Sequence, residues 1–96
     1  MSIWVTLDMT VKAGAFDALS TFLQENLPNV RGFEGALQVN LFFDPDTRAF
    51  LLHEEWVSKA HHQAYLAFIQ NAGVMDALLA FMEGAPEVNY YDRLVM

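Results

Sequence analysis

Four stretches of this chain place apolar residues at every second position, and two longer stretches between them place apolar residues three and four apart. A strand turns successive side chains to opposite faces, whereas a helix returns to the same face about every 3.6 residues, so the two rhythms distinguish element types. Residues 3–11 set Ile3, Val5, Leu7, Met9 and Val11 against Trp4, Thr6, Asp8 and Thr10, the pattern of a half-buried strand. From about residue 14, Phe16, Leu19, Phe22, Leu23 and Leu27 predict an amphipathic helix. Pro28 has no amide hydrogen and should kink or stop it.

A turn over residues 31–35 leads into a second strand, in which Leu37, Val39, Leu41 and Phe43 alternate with Gln38, Asn40 and Phe42. Asp44-Pro45-Asp46-Thr47 is a turn signature, because proline fixes one torsion and Asp side chains bond local backbone. Residues 48–57 then form a third strand, antiparallel to the second. Ser58 can cap a helix running to about Asn71, and after Asn71-Ala72-Gly73 a short helix is expected from about Val74 to Met82. Residues 87–95 alternate again and read as a fourth strand.

The order β-α-β-β-α-β is the ferredoxin-like arrangement of the α+β class, in which helices cover one face of a four-stranded antiparallel sheet and leave the other bare. With no linker, repeat or low-complexity segment, residues 1–96 read as one domain. A chain of 96 residues cannot bury a large core alone, yet 54% of it is hydrophobic and 14% aromatic. A second copy packed on the bare face would hide the surplus, so a homodimer is expected. Five Lys+Arg against 12 Asp+Glu give a net charge of −7, which argues against a nucleic-acid or anionic-membrane partner. The absence of cysteine excludes disulfides and thiolate chemistry and fits a reducing compartment, the cytoplasm by default. Neither a signal peptide nor a membrane-spanning run is visible in the sequence.

Groups able to do chemistry concentrate between Phe50 and Phe68. Phe50, Leu52, Glu54 and Trp56 should project from one strand face, with His53 and Glu55 on the other. In the following helix His62, Tyr65 and Ile69 share a stripe that can close over Glu54 and Trp56, while His61 points about 100° away. A neutral imidazole accepts protons near pH 7, so His62 is a candidate general base; the structural alternative is a histidine at the helix–sheet boundary bonded to Glu54. Trp56 reads as core or as a flat wall for an aromatic ligand, and Tyr65 as a core tyrosine or as a donor to a developing oxyanion. No metal site is expected, because the helical His-Glu-x-x-His spacing is missing and His53 faces away from Glu54.

The string Glu54-Glu55-Trp56-Val57-Ser58, followed by His62 and Tyr65, resembles the pattern Glu-x-Trp-x-Ser-x-x-x-His-x-x-Tyr of antibiotic biosynthesis monooxygenase (ABM) domains, members of the dimeric α+β barrel superfamily. Gly14, Arg31, the Asp-Pro turn and the segment from Pro86 to Tyr90 are also similarly placed. The resemblance implies a homodimer whose sheets form a barrel, with a cavity between sheet and helices in each subunit. It further implies oxygenation of a quinol, phenol or anthrone by dioxygen without metal, flavin or other cofactor. Trp56, His62 and Tyr65 match the family's cavity residues, and Asn40 matches a polar residue on the second strand. Haem-degrading relatives carry an Asn on the first strand and a His about ten residues after the Trp. Here the corresponding positions hold Thr6, Asp8 and Leu66. The expectation is thus a cofactor-independent monooxygenase with His62, Trp56, Tyr65 and Asn40 catalytic, and with Trp56, Glu54, Phe50 and Ile69 against the substrate. The alternative is a small-ligand-binding or dimerisation module without turnover, with haem handling third.

Overall fold

The first and third period-two runs, β1 (Ile3–Thr10) and β3 (Ala49–Trp56), lie side by side at the centre of a four-stranded sheet in the computed structural model, which describes residues 1–96. β2 (Ala36–Phe43) and β4 (Glu87–Tyr91) form the edges, in the order β2-β3-β1-β4, and every neighbouring pair is antiparallel. Across the central pair Ile3 faces Trp56, Val5 faces Glu54, Leu7 faces Leu52 and Met9 faces Phe50. All of these except Ile3 are buried, because this is the face on which the helices α1 (Phe16–Arg31), α2 (Lys59–Asn71) and α3 (Val74–Leu79) pack. The ferredoxin-like expectation therefore describes the chain, with α3 as a short additional turn of helix before β4.

The opposite face of the sheet carries no helix. There Trp4 stacks on His53 with ring centroids 4.9 Å apart, and Phe42 meets the same imidazole edge-on at 6.4 Å. Phe42 and Tyr91 expose more than half of their surface.

Three boundaries differ from those expected. α1 runs through Pro28 to Arg31. Proline forfeits only the one bond its missing amide would give to the Gln24 carbonyl. The last turn is held instead by burial of Val30 and by Arg31 Nη2, which donates to the Val39 carbonyl on β2 at 3.0 Å. α3 ends at Leu79 because the chain after it is drawn onto the end of β1: Met82 bridges to Val11, and the Glu83 amide donates to the Thr10 carbonyl at 2.8 Å. β4 stops at Tyr91, opposite Trp4, although the alternation continues to Val95. β1 begins at Ile3, so the continuing alternation has no strand to pair with.

Gly35 sets how closely α2 approaches the sheet edge. It adopts φ +92°, its carbonyl accepts from the Val57 amide at 2.8 Å, and a Cβ placed on it would lie 2.6 Å from the His61 side chain. Gly14 is also left-handed, at φ +76°, but has open space around it. Gly14→Ala should therefore cost only the left-handed backbone penalty of about 1–2 kcal/mol. Gly35→Ala adds a steric clash and should lose clearly more in urea unfolding; equal losses would show that the approach of His61 imposes nothing.

Candidate functional site

Period-two alternation forces Glu54 into the buried row of β3, between Leu52 and Trp56, where it is only 3% exposed. Its neighbour two residues along supplies the one hydrogen bond it receives: Trp56 Nε1 donates to Glu54 Oε1 at 2.8 Å. Directly after β3, the Ser58 hydroxyl accepts from the His61 amide at 3.2 Å and starts α2, so His62 and Tyr65 descend onto the same sheet face. The His62 ring meets Trp56 edge-on with centroids 5.3 Å apart, and Tyr65 lies 5.4 Å from Trp56 on the adjacent turn.

The two nitrogens of His62 have different surroundings. Nδ1 is hydrogen-bonded to the Tyr90 hydroxyl on β4 at 2.8 Å. Nε2 stands 3.8 Å from Glu54 Oε1, beyond hydrogen-bond length, and has no partner although the residue is 1% exposed. His61 turns away as expected, its Nδ1 2.6 Å from the Ser58 hydroxyl.

Burial dominates the electrostatics, because a low-dielectric surrounding disfavours the charged form of every group. It pushes His62 down to about 4 and Tyr65 up to about 12, the latter reinforced by the Glu54 carboxylate. Burial raises Glu54 as well, partly countered by the bond from Trp56, and Tyr90 rises through burial and then through Glu54. At neutral pH the site thus offers an uncharged imidazole and uncharged phenols.

A cavity of about 60 Å³ lies between sheet and helices, lined by Glu54, His62, Tyr65 and Ile69 together with an apolar shell that includes Leu23 and Leu78. Of the expected site residues, these four are brought together. Three are not. Trp56 is fully buried behind Glu54 and His62 and does not line the cavity, so it supports the site and is not its wall. Phe50, also buried, sits four residues before Glu54 on β3, against Met9. Asn40 lies opposite His53 on the helix-free face and donates to Gln38 Oε1 at 2.8 Å, because its neighbours Val39 and Leu41 take the inward positions.

Two polar residues at the site were not singled out from the sequence. Asn26 lines the cavity from α1, bonded through Nδ2 to the Phe22 carbonyl at 2.8 Å. It stands within the apolar stripe of Phe22, Leu23 and Leu27, and a polar residue in such a stripe was the available signal. Tyr90 had no local signal, since only the position of β4 beside β1 brings it to His62. No group of three or more His, Asp and Glu side chains is arranged to hold a metal ion, and no helix is long and apolar enough to cross a membrane.

The same architecture occurs in solved structures. A conserved protein from Methanosarcina mazei Go1 superposes with a TM-score of 0.85 at 14% identity, covering 98% of this chain and 94% of that one. An antibiotic biosynthesis monooxygenase superposes with a TM-score of 0.84 at 20% identity, covering 97% and 99%. A variant of SnoaB, a cofactor-independent oxygenase from Streptomyces nogalater, superposes with a TM-score of 0.81 at 14% identity, covering 99% and 95%. At such identities the likeness concerns the fold. No curated protein matches the chain. The antibiotic biosynthesis monooxygenase family model matches residues 2–68, a span that takes in Glu54, Trp56, His62 and Tyr65. The chain belongs to the antibiotic biosynthesis monooxygenase family.

Proposed function

We infer that the protein is a cofactor-independent oxygenase of an electron-rich aromatic substrate, a quinol, phenol or anthrone, with dioxygen as co-substrate. The observation that carries this reading is the unpartnered Nε2 of a buried, neutral His62 beside a cavity that also presents Tyr65 and Glu54. His62 Nε2 takes the proton of the substrate, and the un-ionised Tyr65 hydroxyl stabilises the resulting oxyanion. The deprotonated ring then supplies the electrons that dioxygen needs. For an anthrone methylene, one oxygen atom ends as the new carbonyl and the other leaves as water. Family membership and the SnoaB-like fold support the reading.

At about 60 Å³ the cavity is smaller than the roughly 150 Å³ that accommodates benzene, so a ring enters only when the wall moves. That wall is identifiable. Asn26, Tyr65, Ile69 and Val74 line both the cavity and an outer groove of about 430 Å³ flanked by Phe33 and Phe68. The small volume also favours a second reading, a ligand-binding module without turnover. Two copies packed through the helix-free face would complete the molecule, burying Phe42, Tyr91 and the Trp4–His53 stack.

Oxygen uptake on a panel of hydroxyquinols and anthrones tests the reaction. His62→Ala should lower kcat by about 10²–10⁴, the usual scale for a lost general base. Trp56→Phe should mainly destabilise the fold, because Glu54 loses its only donor, a change of about 1–3 kcal/mol. Uptake untouched by His62→Ala would sink the assignment, and saturable binding without uptake would select the second reading.

A titration follows from the same site. The folded His62 pKa lies below the unfolded 6.5, so the unfolded chain binds more protons as pH falls from about 6.5 toward 4, and stability drops across that window. Glu54, raised in the fold, acts oppositely as pH climbs above 4.5. His62→Gln should flatten the stability loss between pH 6.5 and 4.5 measured by urea unfolding; parallel curves would show that the buried imidazole is not its source. For the dimer, sedimentation of the wild type at twice the chain mass and of Phe42→Glu at the chain mass is the expected pair of results.

A further inference from the structure

A base whose pKa lies near 4 holds a proton poorly at neutral pH, because burial disfavours the charged imidazole. The geometry around the ring offers a way past this. Nε2 is free beside the cavity, while Nδ1 is already 2.8 Å from the Tyr90 hydroxyl. Tyr90 stands on the edge strand β4 and is half-buried, with Lys59 Nζ 4.7 Å from its ring centroid. A hydroxyl rotates freely and both donates and accepts, so it can take a proton on one side while releasing one on the other.

We propose that Tyr90 is the outlet of a proton path running from the cavity, through the two nitrogens of His62, to solvent at the edge of the sheet. A proton arriving on Nε2 is matched by release of the Nδ1 proton to the Tyr90 oxygen, and the Tyr90 hydroxyl gives its own proton to water. The imidazole ends neutral with its proton moved from one nitrogen to the other, so no buried cation persists. The reverse transfer resets the ring and returns a proton to the cavity. No oxidant or cofactor enters the step. Tyr90 touches His62 and not the ligand, so it is a relaying and positioning residue. Within the proposed oxygenase it would let a depressed imidazole serve as base, although the path itself does not require that reaction.

The test reads the path directly, in the ligand-free protein. Nitrogen-15 labelling of the three histidines allows exchange of the His62 ring N–H with water to be followed by NMR. Tyr90→Phe keeps the ring and removes the hydroxyl, and should slow this exchange at least tenfold while the thermal midpoint stays close to wild type. Replacement of Tyr90 by 3,5-difluorotyrosine, a more acidic phenol of nearly the same shape, should speed it, which keeps the test decisive if Tyr90→Phe folds poorly. Exchange unaffected by both replacements would overturn the proposal. Oxygen uptake separates the two readings. If both hold, Tyr90→Phe lowers kcat about tenfold or more with KM unchanged. If wild type shows no uptake on any quinol but Tyr90→Phe still slows exchange, the oxygenase reading falls and the proton path stands.

Discussion

A carboxyl group inside an apolar sheet face is the constraint to which the rest of this molecule answers. Glu54 has no freedom to leave: Leu52 and Trp56 on either side are committed to the core, and alternation carries Glu54 in with them. A buried carboxyl without partners costs several kcal/mol, and the Trp56 indole supplies the one donor within reach. That single bond fixes the indole beneath α2, and the indole in turn is the surface on which His62 and Tyr65 rest. The titratable groups then lean toward their uncharged forms, because burial disfavours charge on each of them, and the Glu54 carboxylate adds to the effect on Tyr65.

How much of this could be read in the chain beforehand depends on the range of the signal. Glu54 with Trp56, and His62 with Tyr65 and Ile69, were legible as two stripes because each is set by the period of its own element. Their meeting followed from Ser58, which joins strand to helix with almost no slack. The inward turn of Val39 and Leu41 made the outward turn of Asn40 equally legible, and the expectation that it joined the site came from family likeness alone. Trp56 as a cavity wall failed for a different reason. Periodicity says which face a side chain takes, but not its depth, and the indole is covered by the very residues it supports.

Contacts made by sheet order were not legible. Tyr90 is 28 positions from His62 and reaches it only because β4 adds to the free edge of β1, which nothing in the local pattern of either segment announces. The run through Pro28 and the early end of β4 belong to the same class. In the first, tertiary anchoring of Val30 and Arg31 outweighs a local breaker. In the second, a strand-like pattern goes unused for want of a partner. Local chemistry proposes elements, and packing decides how far each one extends.

The small volume of the cavity has a consequence for time as well as space. If the ring-accepting form occupies a small fraction of the ensemble, the observed dissociation constant is the intrinsic one divided by that fraction. Association would then be paced by separation of α1 from α2 and α3, and not by diffusion to the surface. The side chains that set this pace are those shared by cavity and groove, Asn26, Tyr65, Ile69 and Val74, of which only Tyr65 could take part in the chemistry. Substitution at the other three would retune how long a ligand waits at the door and how long it stays, with Glu54 and His62 left untouched.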